Sequence, residues 1–257
     1  MPEWVIPWLL AGLAVWPLRR VERWIHKHIQ GLGLLVTNDP RSAVLFYYIM
    51  LVPGVILREV TQWLVAQVLR VKVKKFRLWP EQKGKSGPLR LGLVEIDHKN
   101  TDNVRATLIG ITPLAVGVVV LGLIGSRVMD TSAFLVSLQN GDVPTILRGF
   151  GALMNTPDFW VWVYVIFTVA NAMLPEEHDQ ISWLVLVVPF VVLTVSLFLL
   201  QLGVVARAIL DGPLADLARL LSLALIMALV IDLFFMAVIA ILEAVLGRLL
   251  GREVEYK

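Results

Sequence analysis

Arg58, Glu59 and Gln62 stand at positions i, i+1 and i+4 of the apolar stretch from Leu51 to Arg70. On a helix, i and i+4 share a face. Histidine at both positions would grip a metal ion while the glutamate polarised its bound water. Arginine and glutamine cannot do this. A guanidinium is always protonated and has no lone pair to donate, and a carboxamide offers only a weak, hard oxygen. Zinc also needs a third protein ligand, usually His, Asp or Glu. Asn171, Pro175 and Asp179, at the junction of two apolar runs, provide a candidate, and Asp232 is isolated in the last run. Of the four histidines, His26, His28 and His98 fall in other segments and only His178 adjoins Asp179. The expectation is therefore a polar cluster without a metal or cofactor. With no histidine deep in an apolar run, imidazole ligation of a haem or chlorophyll within the membrane is also disfavoured.

The elements that must position this cluster are apolar helices. Hydrophobic residues make up 58% of the 257 and mean hydropathy is +0.77, against roughly 45–50% apolar for a soluble domain. Runs at 4–18, 42–57, 106–126, 159–174, 181–206 and 220–242 can be extended toward the roughly 20 residues that cross a bilayer core. The expected fold is an α-helical integral membrane protein with about six transmembrane helices. Residues 4–18 have neither a charged leader nor a small-x-small cleavage site and are expected to be retained. The chain has no cysteine, hence no disulfide and no thiolate metal site. Its net charge of +3 and pI near 9.3 fit cytoplasmic loops facing anionic lipid, not nucleic acid.

Ten of the 23 basic residues lie between Arg70 and Arg105, which places that segment in the cytoplasm by the positive-inside rule. Residues 127–158 then fall outside, 175–180 inside, 207–216 outside and the tail from Arg248 inside. Arg19, Arg20, Arg23, Lys27 and Arg41 disagree with six simple spans. Either residues 4–18 only dip into one leaflet, or Arg19 to Leu35 form an interfacial amphipathic helix with Trp24, Ile25, Ile29 and Leu32 on its apolar face. Within 70–100, the alternation at Val71–Lys74 and Leu89–Ile96, either side of a Gly/Lys/Pro-rich stretch, predicts a small cytoplasmic β-hairpin. Three regions follow: 1–41, an apolar segment plus interfacial helix; 42–206, the membrane core carrying the hairpin; and 207–257, a C-terminal transmembrane helix and tail.

In these features the chain resembles the site-2 protease family of intramembrane zinc metalloproteases over roughly residues 45–185. The helix Gly54 to Leu69 occupies the family's motif position. Val71 to Phe76 resembles the short sheet that follows it, and Thr112-Pro113-Leu114-Ala115 resembles a Gly-Pro-Leu-Ala turn. Asn171 to Asp179 keeps the interval of an Asn-x-x-Pro-x-x-x-x-Asp-Gly motif, with proline displaced by one and Gln180 in place of glycine. The resemblance implies that Glu59 and Asp179 match catalytic positions by type, while Arg58 and Gln62 replace the two histidines. It implies a pseudoenzyme in which the Arg58 guanidinium takes the metal's place and bridges to Asp179, with Gln62 on the same face and Asp232 as a second partner. The plainer alternative is that Arg58 and Glu59 pair with other neighbours and only fix helix packing.

Three functional readings follow. The leading one is a catalytically inactive relative that acts as a structural or accessory subunit of a larger membrane complex, in a prokaryotic inner (plasma) membrane. The second is a divergent intramembrane metalloprotease. The third is a transporter or channel in which Arg58, Glu59 and Asp232 line a polar path.

Overall fold

The computed structural model describes residues 5–77, 81–82, 89–90, 93–96, 101–129, 131, 143–175, 179 and 181–252. Its first element, α1 (Val5–Thr37), is one uninterrupted helix of 33 residues, where a short apolar segment and a separate interfacial helix were expected. Pro17 lies inside the helix without ending it, and the run of Arg, Glu and Lys after Leu18 is made of good helix formers. Asn38 stops the helix in the left-handed region, at φ 53°, which asparagine tolerates. Asp39 then caps α2 (Pro40–Val68), accepting from the Ser42 amide at 2.9 Å, and Pro40 fills the first position, where its missing N–H costs nothing. The Asn-Asp-Pro turn folds α2 back along α1.

Strand β1 (Val73–Arg77) pairs antiparallel with β4 (Leu93–Ile96), and β2 (Glu81–Gln82) with β3 (Leu89–Arg90). Lys74 is the extra residue of a bulge, since Val73 faces Ile96 and Lys75 faces Glu95. Residues 78–80, 83–88, 91–92 and 97–100 lie outside the described residues. Val71 roots the ribbon against Ala66 and Ile109.

The remaining helices are α3 (Asn103–Leu123), which ends in a π turn over Ile124–Val128, α4 (Val143–Met154), α5 (Phe159–Met173), α6 (Trp183–Leu199), α7 (Gly203–Asp211) and α8 (Pro213–Leu250). The Thr112–Ala115 segment, expected as a turn, lies in the interior of α3, with Pro113 buried. Three helical segments are long and apolar enough to cross a membrane: Pro40–Val68, Asn103–Val128 and Gly203–Leu250. Of the six expected spans, three reach that length and hydropathy among the described residues. Helix α5 has 15 residues and α6 has 17, about 22 and 26 Å at 1.5 Å per residue, short of a core of about 30 Å.

One core runs through all three expected regions. Ala14 and Leu18 of α1, Leu121 of α3, Ile166 and Val169 of α5, and Ala224 and Ala228 of α8 form one cluster. Ile25 and Ile29 continue it with Tyr47, Leu51, Phe167 and Ile239. The face of α1 expected to lie on lipid therefore packs on protein. These pairings make α1 parallel to α8, with His28 reaching Glu243 at 3.9 Å, and antiparallel to α2, where His26 meets Tyr47. The end of α2 and the start of α8 then share one end of the bundle. Counting alternate spans from the cytoplasmic segment predicts residues 207–216 on the opposite side from the ribbon; this packing puts them on the same side.

Proline inside α2 is accommodated by a neighbour. Pro53 removes the donor that would have bonded Ile49 O, and the Tyr164 hydroxyl of α5 donates to that carbonyl at 3.3 Å.

Candidate functional site

Gly54 sets the site's geometry. A Cβ on this residue would run into Thr168 O and stand 2.9 Å from the Ala172 Cβ, so only glycine lets α2 and α5 approach this closely. One turn further along α2, the same approach carries Arg58 to the end of α5. That helix stops where Leu174, extended at φ −70° and ψ 140°, precedes Pro175. Its last carbonyls have no partners within the helix. Arg58 supplies them: Nη1 donates to Ala172 O at 3.4 Å and to Leu174 O at 3.2 Å. The positive guanidinium also faces the negative end of the helix dipole.

Asp179 completes the centre. Its Oδ2 accepts from Arg58 Nη2 at 2.7 Å and its Oδ1 from Gln62 Nε2 at 3.1 Å. The Arg58 and Asp179 side chains are 6% and 5% exposed, so the pair is shielded on all sides. Two α3 residues fix the segment holding Asp179. Gly110 leaves room for it, since a Cβ there would stand 2.8 Å from Asp179 O. Thr107, fully buried, accepts the Ser182 amide through Oγ1 at 3.0 Å. Neither was singled out from sequence. Small residues recur along the same run, at Ala106, Ala115, Gly117, Gly122 and Gly125, so side-chain size gives these two no distinguishing signal.

The remaining polar residues fall into a second group. Asn171 Nδ2 donates to Asp232 Oδ1 at 2.8 Å and to Phe167 O at 2.9 Å, and Asp232 is fully buried. Asp232, expected as a second partner of Arg58, is held by Asn171 instead. Glu59 is also buried, about 100° around α2 from Arg58. The six polar residues thus fall into an Arg58–Gln62–Asp179 centre, an Asn171–Asp232 pair, and Glu59 beside the first.

Chemically the first centre is an ion pair with a helix cap. Among the described residues no three His, Cys, Asp or Glu side chains converge as a metal site would require, and His178 lies outside them. Asp179 spends both oxygens on Arg58 and Gln62, and the guanidinium offers donors only. The cluster binds α2, α5 and the segment entering α6 together. No protein-family model, curated protein or solved structure matches this chain.

Proposed function

We propose that this chain is a catalytically inactive member of the site-2 protease type that serves as a structural or accessory subunit of a larger complex in a prokaryotic inner membrane. The observation that carries the reading is the Arg58 guanidinium bound to Asp179, Ala172 O and Leu174 O. A fixed cation there supplies the positive charge that a metal would otherwise bring, and does so without an open coordination position or an activated water. Three helical segments able to cross a bilayer, and apolar side chains exposed over much of α6, support a membrane setting.

Metal analysis tests it directly. The wild-type protein should purify without zinc, cleave no peptide, and run in gentle detergent as part of a defined assembly larger than one chain. Zinc at about one equivalent, lost to chelator together with peptide cleavage, would overturn the reading. The double substitution Arg58→His with Gln62→His should gain stoichiometric zinc through two imidazoles and Asp179. If it binds none, the protease-type frame is wrong.

A further inference from the structure

The outer face of α1 is cationic. Leu18, Ile25 and Ile29 are buried against α8 and α2, which turns Arg19, Arg20, Arg23 and Lys27 outward, all exposed. Among the described residues no carboxylate pairs with the three arginines. Arg23 Nε donates to Arg19 O at 3.2 Å, and Arg20 lies 5.9 Å over the Trp16 ring.

The level of these cations is set by α8. Ala14 and Leu18 pack with Ala224–Ala228, and His28 meets Glu243. Between Leu220 and Leu242, α8 carries one charged residue, Asp232, and it is buried. Arg19, Arg20 and Arg23 therefore lie beside the apolar middle of α8. At 1.5 Å per residue, Arg19 is about 13 Å along α1 from the level of Glu243, within a hydrocarbon core of about 30 Å if α8 spans it. Intramembrane arginines face a bundle interior, a wet cavity or an acidic partner.

The spacing selects among these. Exposed Leu13, Trp16, Arg20, Arg23, Lys27, Gln30 and Leu34 follow the alternating three-and-four interval of a helix-pairing seam, apolar at both ends and cationic in the middle. A lipid headgroup has no need of that interval and sits at the membrane surface. Among the described residues a second copy offers no exposed acid at this depth: Asp39, Asp102, Asp158, Asp211 and Asp216 all lie at helix ends or turns, and Glu22, at this level, is turned inward beside His26. We infer that this seam docks a transmembrane helix of a different chain, apolar at its ends and carrying carboxylates one to two turns apart at its centre. The inference rests on the subunit reading above and names the partner's chemistry.

The test uses the full chain in phosphatidylcholine vesicles, with a dye on Val36→Cys, the only cysteine present since the native chain has none. The probe is a leucine-alanine peptide of about 23 residues, long enough to span, with two central glutamates one turn apart and a glutamine counterpart as control. Energy transfer should show the glutamate peptide bound at least about tenfold more tightly, with the preference abolished in Arg20→Gln/Arg23→Gln. Equal binding of both peptides, or a preference that survives the double substitution, overturns the proposal. So does loss of binding when phosphatidylglycerol is added, which assigns the seam to lipid. A spin label at Arg19→Cys should be reached by oxygen and not by a water-soluble nickel chelate, and the reverse also overturns it. The subunit reading fails separately, through zinc-dependent cleavage by the wild type, whatever the peptides do.

Discussion

Asn171 donates to Asp232 at 2.8 Å, which ties the last turn of α5 to the middle of α8, while Arg58 caps the carbonyls at the end of the same helix. Helix α5 is therefore held at its C-terminus by two separate polar contacts, one from α2 and one from α8. Each makes its own mutational prediction.

Removing the guanidinium leaves Asp179 buried without its cation and α5 without its cap. Arg58→Ala should cost about 3–5 kcal/mol, the usual penalty for breaking a buried pair from one side. Arg58→Ala with Asp179→Ala should cost clearly less than the sum of the single changes, because the stranded charge is gone. Denaturant titration in detergent reads both, and strict additivity would show that the two residues do not act as a pair.

Gly54 offers a second, purely steric test. Gly54→Ala drives a methyl into Thr168 O and toward Ala172, so it should destabilise by about 1–3 kcal/mol as overpacking does. A methyl added at Gly12 of α1 would meet nothing within 4 Å, so Gly12→Ala should be neutral or stabilise by up to about 1 kcal/mol through helix propensity. Equal effects at the two positions would mean that α2 and α5 do not cross at Gly54.

How much of this is legible in the sequence depends on range. The apolar runs and the one-turn spacing of Arg58 and Gln62 are local properties, visible in the residues themselves. The Asn-Asp-Pro turn is equally local, but the charges of residues 1–41 point to a break near Arg19 and away from that turn. Long-range packing is a different matter. That Asp232 pairs with Asn171 follows from α8 lying against α5, and that α1 runs parallel to α8 follows from small residues such as Ala14, Ala224 and Ala228 meeting in one cluster. No periodicity within either helix fixes its partner. Counting alternate spans likewise misplaces the end at which α8 begins, and the few charges of 207–216 are too weak a signal beside those of 70–105 to correct it.

Asp39 makes stability depend on acid. The Ser42 amide and hydroxyl, both at 2.9 Å, hold its carboxyl below the usual value of 3.8. A depressed folded-state value stabilises fully above the unfolded value and is lost as pH falls through the folded one. Asp39→Ala should therefore lower the melting temperature at neutral pH, with the difference from wild type shrinking below about pH 4. Asp39→Ser, which keeps a capping oxygen, should stay near wild type at neutral pH and lack the acid-dependent loss. A gap between Asp39→Ala and wild type that does not shrink as the pH is lowered below about 4 would mean that the carboxylate is not the cap.

Asp232 separates a packing role from a path for ions. Asn171 needs an acceptor from α8, and an amide oxygen serves as well as a carboxylate. Asp232→Asn should therefore hold stability within about 1 kcal/mol, whereas Asp232→Ala strands a buried donor at about 1–3 kcal/mol. If Asp232 instead carries protons or cations, the same Asp232→Asn protein would stay folded yet abolish flux in liposomes, because an amide cannot exchange a proton at working pH. Reconstituted wild type should show no flux for the asparagine variant to lose. Measurable flux that this conservative change removes would move the protein from subunit to transporter.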